Sequence, residues 1–153
     1  MADFLRATPL PALRRFYRVG LAAQSALVVL IAAGAYAGLI PTKITVVPHY
    51  DLFMHFGLVG MFGFFLDGAL LHRPLVRIPF FPRLGPMIAL VLAATEEYAQ
   101  RFSPRRSSTW SDFAANAAGI LFCAWLARRL TLANTARHTA APTAPLSSAS
   151  AAA

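Results

Sequence analysis

Three pairs of polar side chains, of types that bind ligands or transfer protons, lie at helical spacing in an otherwise apolar chain. The members of each pair are three or four residues apart, and the pairs are Asp51 and His55, Glu97 and Gln100, and Asp112 and Asn116. Such spacing places both members of a pair on one face of a helix. Ionisable and amide side chains are costly within a membrane and mark functional sites there. These residues are therefore the functional signal of the sequence.

Acid–base catalysis is one chemistry that these residue types allow. His55 and Glu97 would act as general base and general acid, and Asp51 would set the tautomer of the imidazole. Aspartate, histidine and glutamate can also bind a divalent ion, but their order here matches no recognised metal motif. The sequence therefore predicts no metal and no cofactor, and it leaves open whether the protein is an enzyme.

Binding of an anionic group is a second chemistry. Arg106 lies in a polar segment between two apolar runs, and a guanidinium can hold a phosphate or carboxylate by two parallel hydrogen bonds. Arg101 adds positive charge in the same segment. The candidate ligand-binding residues are Arg106, Gln100, Asp112 and Asn116. The expected ligand is a lipid-linked molecule or another membrane component with an anionic headgroup.

A purely structural role for the same side chains is the third alternative. Polar groups on neighbouring helices hydrogen-bond within lipid, and each such contact contributes about 0.6 kcal/mol on average. Several of them could hold a helix bundle together without binding any ligand. An ion or proton pathway is disfavoured, because it would need polar residues through the full depth of the membrane, where the sequence offers mainly Asp67.

The composition favours an integral membrane protein. The 153 residues are 58% hydrophobic and 13% charged, with a mean hydropathy of +0.57, whereas soluble domains are about 25% charged. The net charge of +8 comes from basic residues between apolar runs, a pattern that indicates membrane topology and not nucleic-acid binding. A single cysteine, Cys123, excludes an intrachain disulfide.

Four apolar runs approach the ~20 residues that a membrane-spanning helix needs. They cover 16–40, 50–71, 84–102 and 110–130. The sequence predicts an all-α bundle of four transmembrane helices, divided into a basic arm over 1–15, a membrane domain over 16–130 and a disordered Ala/Thr/Ser/Pro tail over 131–153. The first run also resembles a signal peptide, but its length favours an uncleaved helix.

The distribution of basic residues predicts the orientation in the membrane. The N-terminal arm, the second loop and the C-terminal end together carry 10 Lys and Arg, and the first and third loops carry 4. The more basic side faces the cytoplasm, so both termini are expected there. The polar pairs and Arg106 would then meet at the outer face, while Asp67 would lie near the inner face beside Arg73 or Arg77.

The order and spacing of these residues resemble the VanZ-like family of small bacterial membrane proteins. The matching pattern is Asp51-xxx-His55, Glu97-xx-Gln100, Pro104-x-Arg106 and Asp112-xxx-Asn116-xx-Gly119. The resemblance covers about residues 40–127, with Arg105 where the family usually has Gly and Leu52 where it often has Lys. It implies a multi-pass protein of the bacterial inner membrane that acts at the cell envelope, in a family named for a protein linked to resistance to the glycopeptide teicoplanin. The partners it implies are membrane lipid and a lipid-linked cell-wall precursor or another anionic headgroup, with no nucleic acid.

Overall fold

The computed structural model describes residues 11–40, 49–75, 83–104 and 109–139, and within them the chain folds into four helices. The helices are α1 (Pro11–Tyr36), α2 (Tyr50–Ala69), α3 (Leu84–Gln100) and α4 (Trp110–Thr139). In these parts of the chain, extended pairing is limited to one isolated bridge between Pro74 and Arg83. The predicted all-helical fold class is therefore confirmed.

The helix boundaries differ most from the predicted ones at the start of α1 and at the end of α4. α1 begins at Pro11 and not at Phe16, which is possible because proline needs no hydrogen-bond partner in the first turn of a helix. α4 continues to Thr139, so the predicted start of the disordered tail at 131 is wrong. Thr131 is buried and hydrogen-bonded inside the bundle, which holds this part of the chain in the helix. Residues 140–153 lie outside the described part.

α2 is an α-helix interrupted by one π-helical turn, His55–Val59. A π turn fits an extra residue into the helix and is found most often at functional sites. Here the irregular turn begins at His55, one of the candidate site residues. The π turn therefore sets the direction of the His55 imidazole. Residue spacing alone does not reveal such a turn.

Glycines allow α2 and α4 to pack with their backbones in contact. A Cβ atom added at Gly119 would lie 2.2 Å from the Phe56 carbonyl oxygen, and one added at Gly60 would lie 2.9 Å from the Gly119 backbone. Small residues allow this kind of close approach between membrane helices. The contact holds the start of α4 directly against the π turn of α2.

The buried core is small, and much of the outer surface is apolar. One cluster centres on Tyr17, Phe64, Cys123 and Ala127, and a second contains Ala89, Ala93 and Ile120. Large apolar side chains such as Leu30 and Phe53, each 70% exposed, face outward. By length and composition, two helices of the described segments could cross a membrane, namely those within Pro11–Ala37 and Tyr50–Ala69.

Candidate functional site

The predicted site residues come from three helices whose ends lie at the same end of the bundle. His55 is in the π turn near the start of α2, Glu97 is in the last turn of α3, and Asp112 and Asn116 are in the first two turns of α4. Glu97, Asp112 and Asn116 are buried, and His55 is partly buried. The structure thus brings together one side chain or more from each of the three predicted pairs.

Asn116 connects the histidine to the glutamate. Its side-chain NH2 donates to Glu97 Oε1 over 3.2 Å, and its carbonyl oxygen lies 3.2 Å from Nδ1 of His55. Since this oxygen can only accept, the contact places a proton on Nδ1 and leaves the lone pair of the neutral imidazole on Nε2. His55 Nδ1 and Glu97 Oε1 are 3.8 Å apart. Asn116 therefore sets both the tautomer of the imidazole and the position of the carboxylate.

Asp112 is held in place by the cap of α4. The Thr109 backbone N–H donates to Asp112 Oδ2, and the Asp112 backbone N–H donates to Thr109 Oγ1, both over 3.2 Å. This reciprocal arrangement is a capping box, in which Thr109 is the capping residue of α4. The capped carboxylate lies close to the other two groups, since one ligand atom each from His55, Glu97 and Asp112 falls within 4.8 Å of the others.

Gln100 is buried one turn beyond Glu97 but makes a different contact. Its NH2 group donates to a Glu96 carboxylate oxygen, and its carbonyl oxygen is buried with no hydrogen-bond partner among the described residues. Glu96 also accepts, over 3.5 Å, from the Tyr36 hydroxyl. These two hydrogen bonds join the end of α3 to the end of α1.

Two predicted site residues are not brought into the cluster by the described structure. Asp51 is exposed in the first turn of α2, and among the described contacts of His55 its role as tautomer-setting partner is filled by Asn116. The four-residue spacing of Asp51 and His55 did not reveal that Asn116 is the partner, because the π turn that begins at His55 changes the helical geometry there. Arg106 falls within 105–108, outside the described residues.

A shallow cavity of about 180 Å³ opens beside Glu97, between the end of α3 and the start of α4. Its polar lining includes Glu97, Arg101 and Thr109, and its aromatic lining includes Tyr98 and Trp110. Trp110 is 80% exposed. The cavity therefore combines a cation, a carboxylate and amphipathic aromatic rings at one helix end.

A second polar cluster, of which the sequence indicated only Asp67, lies at the opposite end of the bundle. Asp67 is 0% exposed, and its Oδ2 accepts from Arg83 over 2.8 Å and lies 2.6 Å from Nδ1 of His72. The expected partner was Arg73 or Arg77, but Arg73 is exposed and Arg77 lies outside the described part. Burial lowers the pKa of the Arg83 guanidinium, and the neighbouring Asp67 carboxylate acts in the opposite direction.

Hydrogen bonds extend this second cluster across the bundle. His72 Nε2 lies 2.9 Å from the Thr131 hydroxyl, which is 3.0 Å from the Tyr17 hydroxyl. Tyr17 also donates to the Ala127 carbonyl over 3.0 Å. α1, the end of α2 and α4 are thus joined by one network. His72 and Thr131 gave no signal in the sequence, because a single histidine in a basic loop and a threonine in an Ala-rich segment are common.

Comparison of the chain with protein-family models, with curated proteins and with solved structures gives no match. The resemblance to the VanZ-like family therefore stands on the spaced polar residues alone.

Proposed function

We propose that the chain is a VanZ-like protein of a bacterial inner membrane, with four membrane-spanning helices and both termini in the cytoplasm. The apolar outer surface supports this proposal, because large exposed side chains such as Val29 and Leu30 would be poorly placed in water but well placed against lipid. The cluster of His55, Glu97, Asp112 and Asn116 would then lie near the outer face of the membrane.

The function that this geometry supports best is binding of an anionic headgroup at the cell envelope. The observation that carries it is the cavity beside Glu97, where Arg101 supplies positive charge and Tyr98 and Trp110 supply aromatic surface. Tyrosine and tryptophan concentrate at the membrane–water interface, which is the depth of lipid phosphates. Arg106, three residues before Thr109 in the sequence, would add a second guanidinium.

A lipid-linked cell-wall precursor is the ligand class that follows from the proposed location. Such molecules carry phosphate in the headgroup region, and phosphate is suited to bidentate binding by arginine. Binding of a precursor would also relate the protein to glycopeptide action, because glycopeptides act on the outer side of the same membrane. A role in teicoplanin resistance belongs to this proposal.

An intramembrane enzyme is the second candidate function. The observation that favours it is the short chain of contacts from His55 through Asn116 to Glu97. It holds an imidazole, whose Nε2 has no hydrogen bond within the described part of the chain, near a buried carboxylate. An imidazole in this state can accept a proton. If the cluster has only a structural role, the same hydrogen bonds join α2, α3 and α4 and the cluster binds no ligand.

Intrinsic fluorescence can test headgroup binding, because Trp110 lines the cavity and the other tryptophan, Trp125, can be replaced by Phe. The Trp125→Phe protein in phosphatidylcholine nanodiscs is titrated with short-chain phosphatidylglycerol. We expect a saturable change in Trp110 emission, with the half-saturation concentration raised about 10-fold or more by Arg101→Ala, as loss of a charge-assisted contact predicts.

The control for this titration is Arg73→Ala, which removes an exposed arginine at the opposite end of the bundle. If Arg101→Ala and Arg73→Ala shift the titration equally, the binding is general attraction to basic surface and the proposal is wrong. The catalytic alternative makes a different prediction, because His55→Gln should leave the titration unchanged while abolishing any turnover.

A further inference from the structure

We propose that His55, Glu97 and Asp112 bind one divalent transition-metal ion of the Mn²⁺-to-Zn²⁺ class. The inference goes beyond headgroup binding and does not depend on it. It also departs from the sequence-based expectation of no metal, because three ligands from three separate helices form no motif along the chain.

The three side chains offer ligand atoms at the separation that a metal site needs. One imidazole nitrogen and two carboxylate oxygens lie within 4.8 Å of one another. Around an ion with bonds of about 2.1 Å, neighbouring ligand atoms are roughly 3 to 4 Å apart. Side-chain rotations that shorten the longest of these separations by about 1 Å would therefore complete the coordination.

The contacts behind the ligands have the arrangement expected around a metal. A ligating histidine almost always donates its other ring N–H to an oxygen, which fixes the tautomer and the ring orientation. With Nε2 of His55 as the ligand atom, Asn116 provides that oxygen for Nδ1, and it donates its own NH2 to Glu97. Thr109 holds the third ligand, Asp112, through the capping box. All three candidate ligands are thus oriented by a partner that is not itself a ligand.

The charge of the site also favours a cation. Glu97 is 5% exposed and Asp112 is 6% exposed, and burial of two carboxylates this close together is unfavourable because the charges repel and lose hydration. A divalent ion bound by both oxygens offsets the two charges together.

The types of ligand select the class of ion. Imidazole favours Zn²⁺ and its transition-metal neighbours, while carboxylate oxygens also suit Mn²⁺. Ca²⁺ takes six to eight oxygen ligands and Mg²⁺ prefers oxygen with several retained waters, so a site with one nitrogen and two carboxylates should bind both weakly. Three protein ligands leave coordination positions open for water or for an oxygen of a bound molecule.

Metal binding can be measured on the purified full-length chain in detergent, prepared with an affinity tag that contains no histidine. After removal of metals with a chelator, the protein is equilibrated with Zn²⁺ or with Mn²⁺ alone, and bound metal is counted by mass spectrometry and titrated by calorimetry. We expect about one ion per chain. The affinity should fall about 100-fold or more in His55→Gln and in Glu97→Gln, since loss of an outer partner alone costs 10–100-fold.

Two matched controls distinguish this site from non-specific binding of the metal ion elsewhere on the protein. Glu96→Gln makes the same change at the neighbouring residue, and His49→Gln removes an exposed histidine near the start of α2; both should retain the affinity of the wild type. Circular dichroism checks that each variant folds, and Mn²⁺ electron paramagnetic resonance reports on the ligand environment of the ion.

Two results would overturn the inference: wild-type protein that retains less than a tenth of an ion, or a matched control that loses as much affinity as His55→Gln. Neither result bears on headgroup binding, because the metal titration contains no lipid and the Trp110 titration is run with a chelator present. Failure of one proposal is therefore distinguishable from failure of the other.

Discussion

Gly119→Ala should separate α2 from α4 and disturb the site at the same time. The added methyl carbon would lie 2.2 Å from the Phe56 carbonyl oxygen and 2.9 Å and 3.0 Å from its carbonyl carbon and Cα. All three atoms belong to backbone, so rotation of a side chain cannot relieve the overlap. The helices must move apart by roughly 1 Å to restore an ordinary contact distance.

The magnitude follows from two opposing effects. Overpacking in a tight contact costs about 1–3 kcal/mol, while replacement of glycine by alanine within a helix gains up to about 1 kcal/mol. We therefore expect a net destabilisation of about 1–2 kcal/mol. The same 1 Å displacement, added to the 3.2 Å contact between His55 and Asn116, would break that hydrogen bond because it exceeds the usual length limit.

Gly57→Ala is the matched control, because a Cβ atom at Gly57 would have no neighbour within 4 Å. Reversible unfolding of both variants in mixed detergent micelles gives their free energies of unfolding. Gly57→Ala should be as stable as the wild type or slightly more so. A Gly119→Ala protein with the stability of Gly57→Ala and an unchanged metal affinity would refute the close packing of α2 on α4.

Three further predictions concern single polar contacts. Asp67→Asn should destabilise the bundle by about 3 kcal/mol in the same unfolding measurement, because it leaves the partly buried Arg83 guanidinium without its countercharge; equal stability would show that the pair contributes nothing. Thr131→Val should cost about 1 kcal/mol by removing a hydroxyl from the second cluster, whereas Thr95→Val, at an exposed hydroxyl bonded only to its own helix, should cost much less. Asn116→Leu should abolish the Nδ1–H tautomer preference of the site histidine, which nitrogen NMR of the imidazole measures; an unchanged spectrum would contradict the assigned hydrogen bond.

The starts of α2, α3 and α4 were predictable from the sequence because local signals mark them. The apolar runs after Pro48 and Arg83 and the Thr/Ser segment before Trp110 give starts at Tyr50, Leu84 and Trp110, as observed. The meeting of His55, Glu97 and Asn116 was also predictable in outline, since antiparallel neighbouring helices must bring these ends together.

Contacts that depend on turns and irregular backbone were not predictable. Leu71 and His72 adopt positive φ angles of 57° and 54°, a conformation that is uncommon for residues other than glycine. The turn directs the chain so that Arg83, paired with Pro74 in the isolated bridge, meets Asp67. Residue spacing cannot predict this turn. It indicated instead Arg73 and Arg77, the arginines nearest to Asp67 in the sequence.

Hydrogen bonds hold α4 at two positions, Asn116 in the first cluster and Thr131 in the second. A residue inserted anywhere between these two positions would turn one of them by about 100° relative to the other. The helix could then satisfy either set of hydrogen bonds but not both. The register of α4 is accordingly fixed between Asn116 and Thr131, and sliding of this helix along its axis would break the hydrogen bonds of both clusters at once.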